Sequence, residues 1–417
     1  MKKIRKNIVI GLIFGALLLI AGFAMVNLGG NRNADIDRKP AKYIFLFIGD
    51  GMGATHVATA ESYLAYLDGE NGFRQVSFTE FPVLGMAETY SANNNVTCSS
   101  AAGTAISCGE KTNNGWLGIN AEGDTLTSVA KILKDRGYKV GILSSVPVNH
   151  ATPAAFYAHN CSRHDYYGIT AEIPESGYDF LGGSGFIDYF GKDGNRTGSE
   201  EMLEESGYAV CFGEKEYEEA IAEGAGKIVL CQEQSKGTEA KTYSTVGQAP
   251  GKDISSGEML EKCISFFGDE SPFFIMYEQG EIDWAAHGNR TMPMIESVLK
   301  LGKAVETALE FYYEHPDETL ILVTADHETG GITLGATETR GEVNLNWEVM
   351  DSVWTASGRE DKLDEEMNRS LNAKGHIGWT SNGHTGGPVP VYAIGKGAER
   401  FGGRYDNTDI KGKILAE

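Results

Sequence analysis

"YIFLFIGDGMG", residues 43–53, is an apolar and aromatic run that stops at Asp50, set between two glycines. A run of that length bounded by turn residues reads as a strand buried on both faces. Five further runs have the same character: "YKVGILS" (138–144), "KIVLC" (227–231), "FFIMYE" (273–278), "TLILVTA" (319–325) and "VPVYAIG" (389–395). Amphipathic stretches alternate with them, among them "LTSVAKILKDRG" (126–137) and "MIESVLKLGKAVETALEFYYEH" (294–315). The alternation predicts an α/β fold: a large, mostly parallel central sheet with helices on both faces, a three-layer sandwich. In such sheets ligands gather at the carboxyl ends of the strands. The polar stretch from about Thr329 to Thr380 reads as irregular excursions over one end of the sheet.

The 417 residues are ample for a large core, and 41% hydrophobic with 23% charged residues is a globular composition. A net charge of −22 repels polyphosphate backbones, so no nucleic acid binding is expected. An anionic substrate then needs a locally positive site made by metals or arginine. At the start of the chain, Lys2, Lys3, Arg5 and Lys6 precede an uncharged apolar run from Ile8 to Val26. A positive flank before an apolar stretch means export. Residues 1–28 read as a cleaved signal peptide or an uncleaved anchor, with membrane attachment through residues 8–26, 29–41 as a linker and 42–417 as the catalytic domain. The domain then faces outward, in the periplasm, outside the cell or on the outer side of the cytoplasmic membrane. Six cysteines show no CxxC spacing, and an exported chain permits some of them to pair.

The residues at and just beyond the ends of the apolar runs carry the chemistry. Asp50 ends the first; Glu278 ends "FFIMYE", with Asp283 and His287 close behind; Asp326 and His327 come directly after "TLILVTA"; His384 stands ahead of "VPVYAIG". Each alone has a bland reading: a turn aspartate, an exposed i, i+4 helix pair, a surface histidine. Together they deliver oxygen and nitrogen donors to one sheet edge, a set without thiolates that suits zinc with a harder ion beside it. "NHATPAAFYAHNCSR" (149–163) adds His150, Thr152, whose hydroxyl can reach a hard cation, and Arg163, whose fork matches a phosphate. "NNNVTCSSAAGTAISCGEKT" (93–112) places Cys98, Ser99 and Ser100 before a run of small residues, where a serine is most simply a helix cap.

With "IGDGMG", "VTCSSAAGTA", "HATPAAFYAHNCSR", "EQGEIDWAAH", "TADHETGG" and "GHTG" in one order, the chain resembles the alkaline phosphatases. The resemblance implies a phosphate monoester hydrolase with two zinc ions and one magnesium ion. It assigns one zinc to Asp283, His287 and His384, the other to Asp50, Asp326 and His327, and magnesium to Asp50, Thr152 and Glu278 with His150 in its outer shell. Arg163 then clamps the phosphate, and Ser99 is the nucleophile that becomes a phosphoserine, capping its helix as well. Family members are commonly dimers, so a homodimer acting on small phosphate monoesters is implied. Three positions depart from the enterobacterial pattern: His150 replaces a carboxylate, Trp284 replaces a lysine near the phosphate, and Cys98 replaces the aspartate that steadies the arginine. The rival readings are a phosphodiesterase or sulfatase of the same superfamily and a surface binding protein on a catalytically weak scaffold.

Overall fold

Strand β1 (Tyr43–Gly49) is the axis of the molecule, buried at every position. It lies between β7 (Phe273–Gln279) and β8 (Thr319–Ala325), parallel to both and buried like them. Around this trio a computed structural model, in which residues 39–238, 254–336 and 343–417 are described, places ten strands in one sheet. The others are β2 (Val83–Glu88), β3 (Lys139–Ser144), β4 (Phe180–Gly183), β5 (Ala209–Phe212), β6 (Ile228–Cys231), β9 (Val389–Gly395) and β10 (Gly403–Asp406). Their order is β10-β2-β9-β8-β1-β7-β3-β4-β6-β5. Every neighbouring pair is parallel except those made by β9, which runs antiparallel to both β2 and β8.

The sheet is thus mostly parallel, with helices on both faces. Helix α1 (Ala54–Leu67) and the long α4 (Thr291–Glu314) pack together on one of them. Tyr43, Phe45 and Phe273 meet Phe311 of α4 at ring-centroid distances of 4.9, 5.8 and 5.3 Å. On the other side lie α2 (Ser99–Cys108), with all ten residues buried, and a single helical turn, Ala151–Ala154. A Cβ on Gly103 would stand 2.9 Å from the Cβ of Ala155, so glycine permits this close approach of α2 to that turn.

One expectation needs correction. The described residues of the stretch from Thr329 to Thr380 are not irregular. Ile332–Leu334 pairs antiparallel with Ile377–Trp379, and between them lie α5 (Trp347–Ala356) and α6 (Glu365–Gly375). Asn346 and Asp364 cap these helices by accepting the N–H groups of Val349 and Met367. Trp347, Met350 and Trp354 are the buried stripe of α5, spaced as a helix requires. The six cysteines, whose pairing the sequence leaves open, are all free thiols, four of them buried. No helix among the described residues is long and apolar enough to cross a membrane. The apolar run 8–26, and with it the expected signal peptide or anchor, lies outside the described residues.

Candidate active site

Register creates the centre of the site. Gly49 of β1 pairs with Gln279 of β7 and with Ala325 of β8. The next residue after β1 is Asp50 and the next after β8 is Asp326, so both carboxylates leave the sheet at one level. Glu278 sits one residue inside, level with Ile48 and with Ser144 of β3, whose hydroxyl donates to its carboxylate. Gly51, at φ +71°, turns the chain back at this point, and its N–H donates to Asp326 Oδ1 at 3.0 Å.

The remaining donors arrive from three directions. Beyond β7, the short helix α3 (Glu281–His287) presents Asp283 and His287 on successive turns, with His287 Nε2 3.3 Å from Asp283 Oδ2. Because β9 is antiparallel, its beginning lies where the parallel strands end. His384–Thr385 pairs there with Glu328–Thr329, and the rings of His384 and His327 stack at 3.7 Å. His150 and Thr152 open the helical turn after β3.

Donor atoms of three groups converge to within 4.8 Å of one another: Asp283, His327 and His384; Asp50, Asp326 and His327; and Asp50, His150 and Glu278. His150 therefore lies within reach of the third group. Both Asp50 oxygens, Asp326 Oδ2, Glu278 Oε1, Thr152 Oγ1 and His150 Nδ1 are buried without a hydrogen-bond partner. A buried polar atom left so costs about 1–3 kcal/mol, and the cations that carboxylates and a hydroxyl prefer would relieve these oxygens together. The histidines are oriented for this. The Nδ1 of His287 faces Asn382 O at 2.6 Å, that of His384 faces Thr97 O at 2.8 Å, and that of His327 faces Thr329 Oγ1 at 3.2 Å. Each Nε2 is left for the site, the usual arrangement of a metal-binding imidazole.

Electrostatics tell the same story. Burial, reinforced by Asp326, Asp283 and Glu278, pushes the Asp50 carboxyl well above its usual range. Burial lifts Glu278 to about 8 and Asp326 to about 7. Asp283 goes the other way: burial opposes its ionisation, but the bond from His287 and the neighbouring His327 and His384 hold it low. Burial, and then the charge on Arg163, keeps His150 neutral with its pKa at about 3.

Ser99 Oγ lies 3.3 Å from His327 Nε2 and 3.5 Å from Arg163 Nη1. It is the first residue of α2 rather than its cap; Cys98 occupies the cap position without a side-chain capping bond. Cys98 Sγ instead accepts the Gly115 N–H and touches Ser100 Oγ, both at 3.1 Å. The Arg163 fork is held from elsewhere, Nη2 donating to the neutral His150 Nε2 at 3.2 Å. Trp284 meets the His150 ring edge-on, with centroids 5.7 Å apart. Sequence reasoning passed over Thr329, whose hydroxyl donates to Asp283 Oδ1 while contacting His327 Nδ1, and Ser144 behind Glu278. The place of Thr329 two residues after His327 was a signal to be read; the backbone carbonyls of Thr97 and Asn382 left none.

The family model "Alkaline phosphatase" matches residues 41–185 and 249–416. The unmatched stretch between them includes β6 and the edge strand β5. Alkaline phosphatase 4 of Bacillus subtilis is 29% identical over 89% of this chain and 88% of its own length. Among solved structures, alkaline phosphatase from the Antarctic bacterium TAB5 superposes with a TM-score of 0.71 at 28% identity, covering 90% of this chain and 97% of that one. A cold-active alkaline phosphatase from a psychrophilic Shewanella species gives 0.74 at 26% identity, covering 90% and 99%. With its sheet, its donor clusters and the family match over most of its length, this chain belongs to the alkaline phosphatase family of metal-dependent hydrolases.

Proposed function

We propose that the chain is an exported enzyme that hydrolyses small phosphate monoesters through a phosphoserine on Ser99. The observation that carries this reading is the convergence of partnerless buried donors around a serine hydroxyl that also contacts an arginine fork. Zinc on Asp283, His287 and His384, zinc on Asp50, Asp326 and His327, and magnesium on Asp50, Thr152 and Glu278 beside His150 would supply the charge that acidifies a hydroxyl or water and steadies a leaving alkoxide. A variant of the TAB5 enzyme has been solved with Mg bound in the site named M3, which supports a magnesium ion in a relative's third site.

The chain's own groups account for the rest. Ser99 Oγ attacks phosphorus in line with the ester oxygen; a P–O bond to serine forms as the bond to the leaving alcohol breaks. The two Nη groups of Arg163 hold non-bridging oxygens, and His150, kept neutral, holds one of them in place. The N–H groups at the start of α2 face the same charge. Water then attacks the phosphoserine, releasing inorganic phosphate and restoring Ser99. Residues 1–28 act as signal or anchor, 29–41 as a linker and 42–417 as the catalytic domain, which works as a homodimer.

Two measurements test the proposal. Hydrolysis of p-nitrophenyl phosphate at alkaline pH should far exceed that of the corresponding diester and sulfate; a preference for either of those would favour the rival chemistry. Acid quenching during turnover, followed by peptide mass spectrometry, should find phosphate on Ser99. Phosphate on Ser100, or none, would remove Ser99 from its role.

A further inference from the structure

Helix α3 carries Asp283, Trp284 and His287 on seven residues, and its own sequence does little to fix it: Gly280 precedes it without a capping side chain, and Gly288 follows. Its end is held from outside. Arg290 donates from Nη2 to Trp284 O at 2.7 Å, and its Nη1 is paired with Asp361, a carboxylate only 10% exposed in the loop between α5 and α6. Asn372 of α6 donates to Asn289 O and accepts from the Thr291 hydroxyl, both at 2.7 Å. Asn289 sits at φ +51°, a backbone state that needs such support. Asn382 donates to His287 O at 3.0 Å while its own carbonyl faces the His287 ring. Three separate points of the excursion 343–383 therefore converge on the stretch from His287 to Thr291 that joins α3 to α4. By contrast, Asp50 and Asp326 are fixed by the register of buried strands and owe the excursion nothing.

We propose that the excursion is a bracket for α3, with Arg290, Asp361, Asn372 and Asn382 as positioning residues for the Asp283 and His287 side of the metal centre. This rests on the metal-site reading above. It has a consequence that a general stabilising role lacks: loosening the bracket weakens one cation and spares its neighbour. Removing partners around metal ligands typically costs about tenfold to a hundredfold in affinity, and the lower end suits contacts that act through a helix end.

The test is zinc retention by the loaded full-length protein, dialysed against graded chelator and measured by atomic emission. Arg290→Met, Asp361→Asn and the exposed Asn382→Ala should each lose one zinc equivalent at about tenfold lower chelator concentration than wild type, with the other equivalent unmoved. The double variant Arg290→Met/Asp361→Leu should recover global stability lost by Arg290→Met alone, since removing a buried pair costs less than orphaning one member. It should still release its first zinc early. Equal shifts of both equivalents, no shift in any variant, or recovery of zinc retention along with stability would overturn the bracket. Asn382→Ala keeps the test open if the ion-pair variants fold poorly. A wild-type chain that takes up no zinc overturns the metal-site reading itself, and the bracket with it.

Discussion

At Gly51 a single hydrogen holds the site open. An added methyl would stand 2.9 Å from both Asp283 Oδ1 and Thr329 Oγ1, and φ +71° is strained for any L side chain. Gly51→Ala should therefore cost about 2 kcal/mol or more in stability, from backbone strain plus overpacking, and abolish most activity. Chemical denaturation beside a phosphatase assay checks this; a stable, active variant would mean the loop can move aside. Cys98 teaches a different lesson. From sequence, the loss of a carboxylate at this position predicts a loosely held Arg163, since nothing in the chain's spacing announces that His150 accepts from its Nη2. With the fork already held, Cys98→Asp should change the inhibition constant for inorganic phosphate by less than about twofold, because a second partner removes little remaining side-chain freedom. Under saturating metal, His150→Ala should raise that constant several-fold. A tighter Cys98→Asp variant would show that the fork still moves.

Among the elements, legibility followed length and burial. The runs 43–49, 319–325 and 389–395 are strands over those same residues, because continuous apolar sequence has one use in a sheet covered on both faces. The strands "FLGG" and "AVCF" are four residues each, too short for periodicity to separate them from loop. Helices α5 and α6 hid behind an abundance of polar residues, although Asn346 and Asp364 were readable caps. All the proposed metal ligands lay next to strands or motifs and were legible for that reason; the groups that orient them come from distant chain and were not. The contact of α2 with the turn 151–154 offers a test at this scale. Alanine in a helix interior ordinarily gains about 1 kcal/mol over glycine, but at Gly103 its methyl would meet the Ala155 methyl at 2.9 Å. Gly103→Ala should push α2 outward, carrying Ser99 away from the Thr152 side, and lower kcat more than it lowers Tm. Adding Ala155→Gly should restore kcat; failure to do so would place the damage elsewhere.

For the molecule as a whole, a surface of net charge −22 surrounds a pocket of buried acids, and protons compete with cations for that pocket. Without metal, Glu278 and Asp326 keep protons up to about pH 8 and 7, whereas the unfolded chain has lost them near 4.5 and 3.8. The fold then binds more protons than the unfolded state, so stability falls as pH rises through this window. The buried His150, depressed to about 3, acts in the opposite sense, but only below its ordinary value of 6.5. The Tm of the metal-free protein should accordingly fall between pH 6.5 and 8, while that of the loaded protein should not, and metal uptake should release protons into weakly buffered solution. A metal-free Tm that rises over this interval would contradict the assignment of these acids. The antiparallel course of β9 has a consequence in time as well as space. The proposed ligand set begins at Asp50 and closes with His384, which reaches the sheet edge only when β9 inserts between β2 and β8. A nascent chain emerging from its N-terminus carries most of its donors long before it owns the strand that brings the last one home, so the group of Asp283, His327 and His384 is the last of the three to be completed. A cation proposed for that group would be captured late in maturation, a seal on a nearly finished chain.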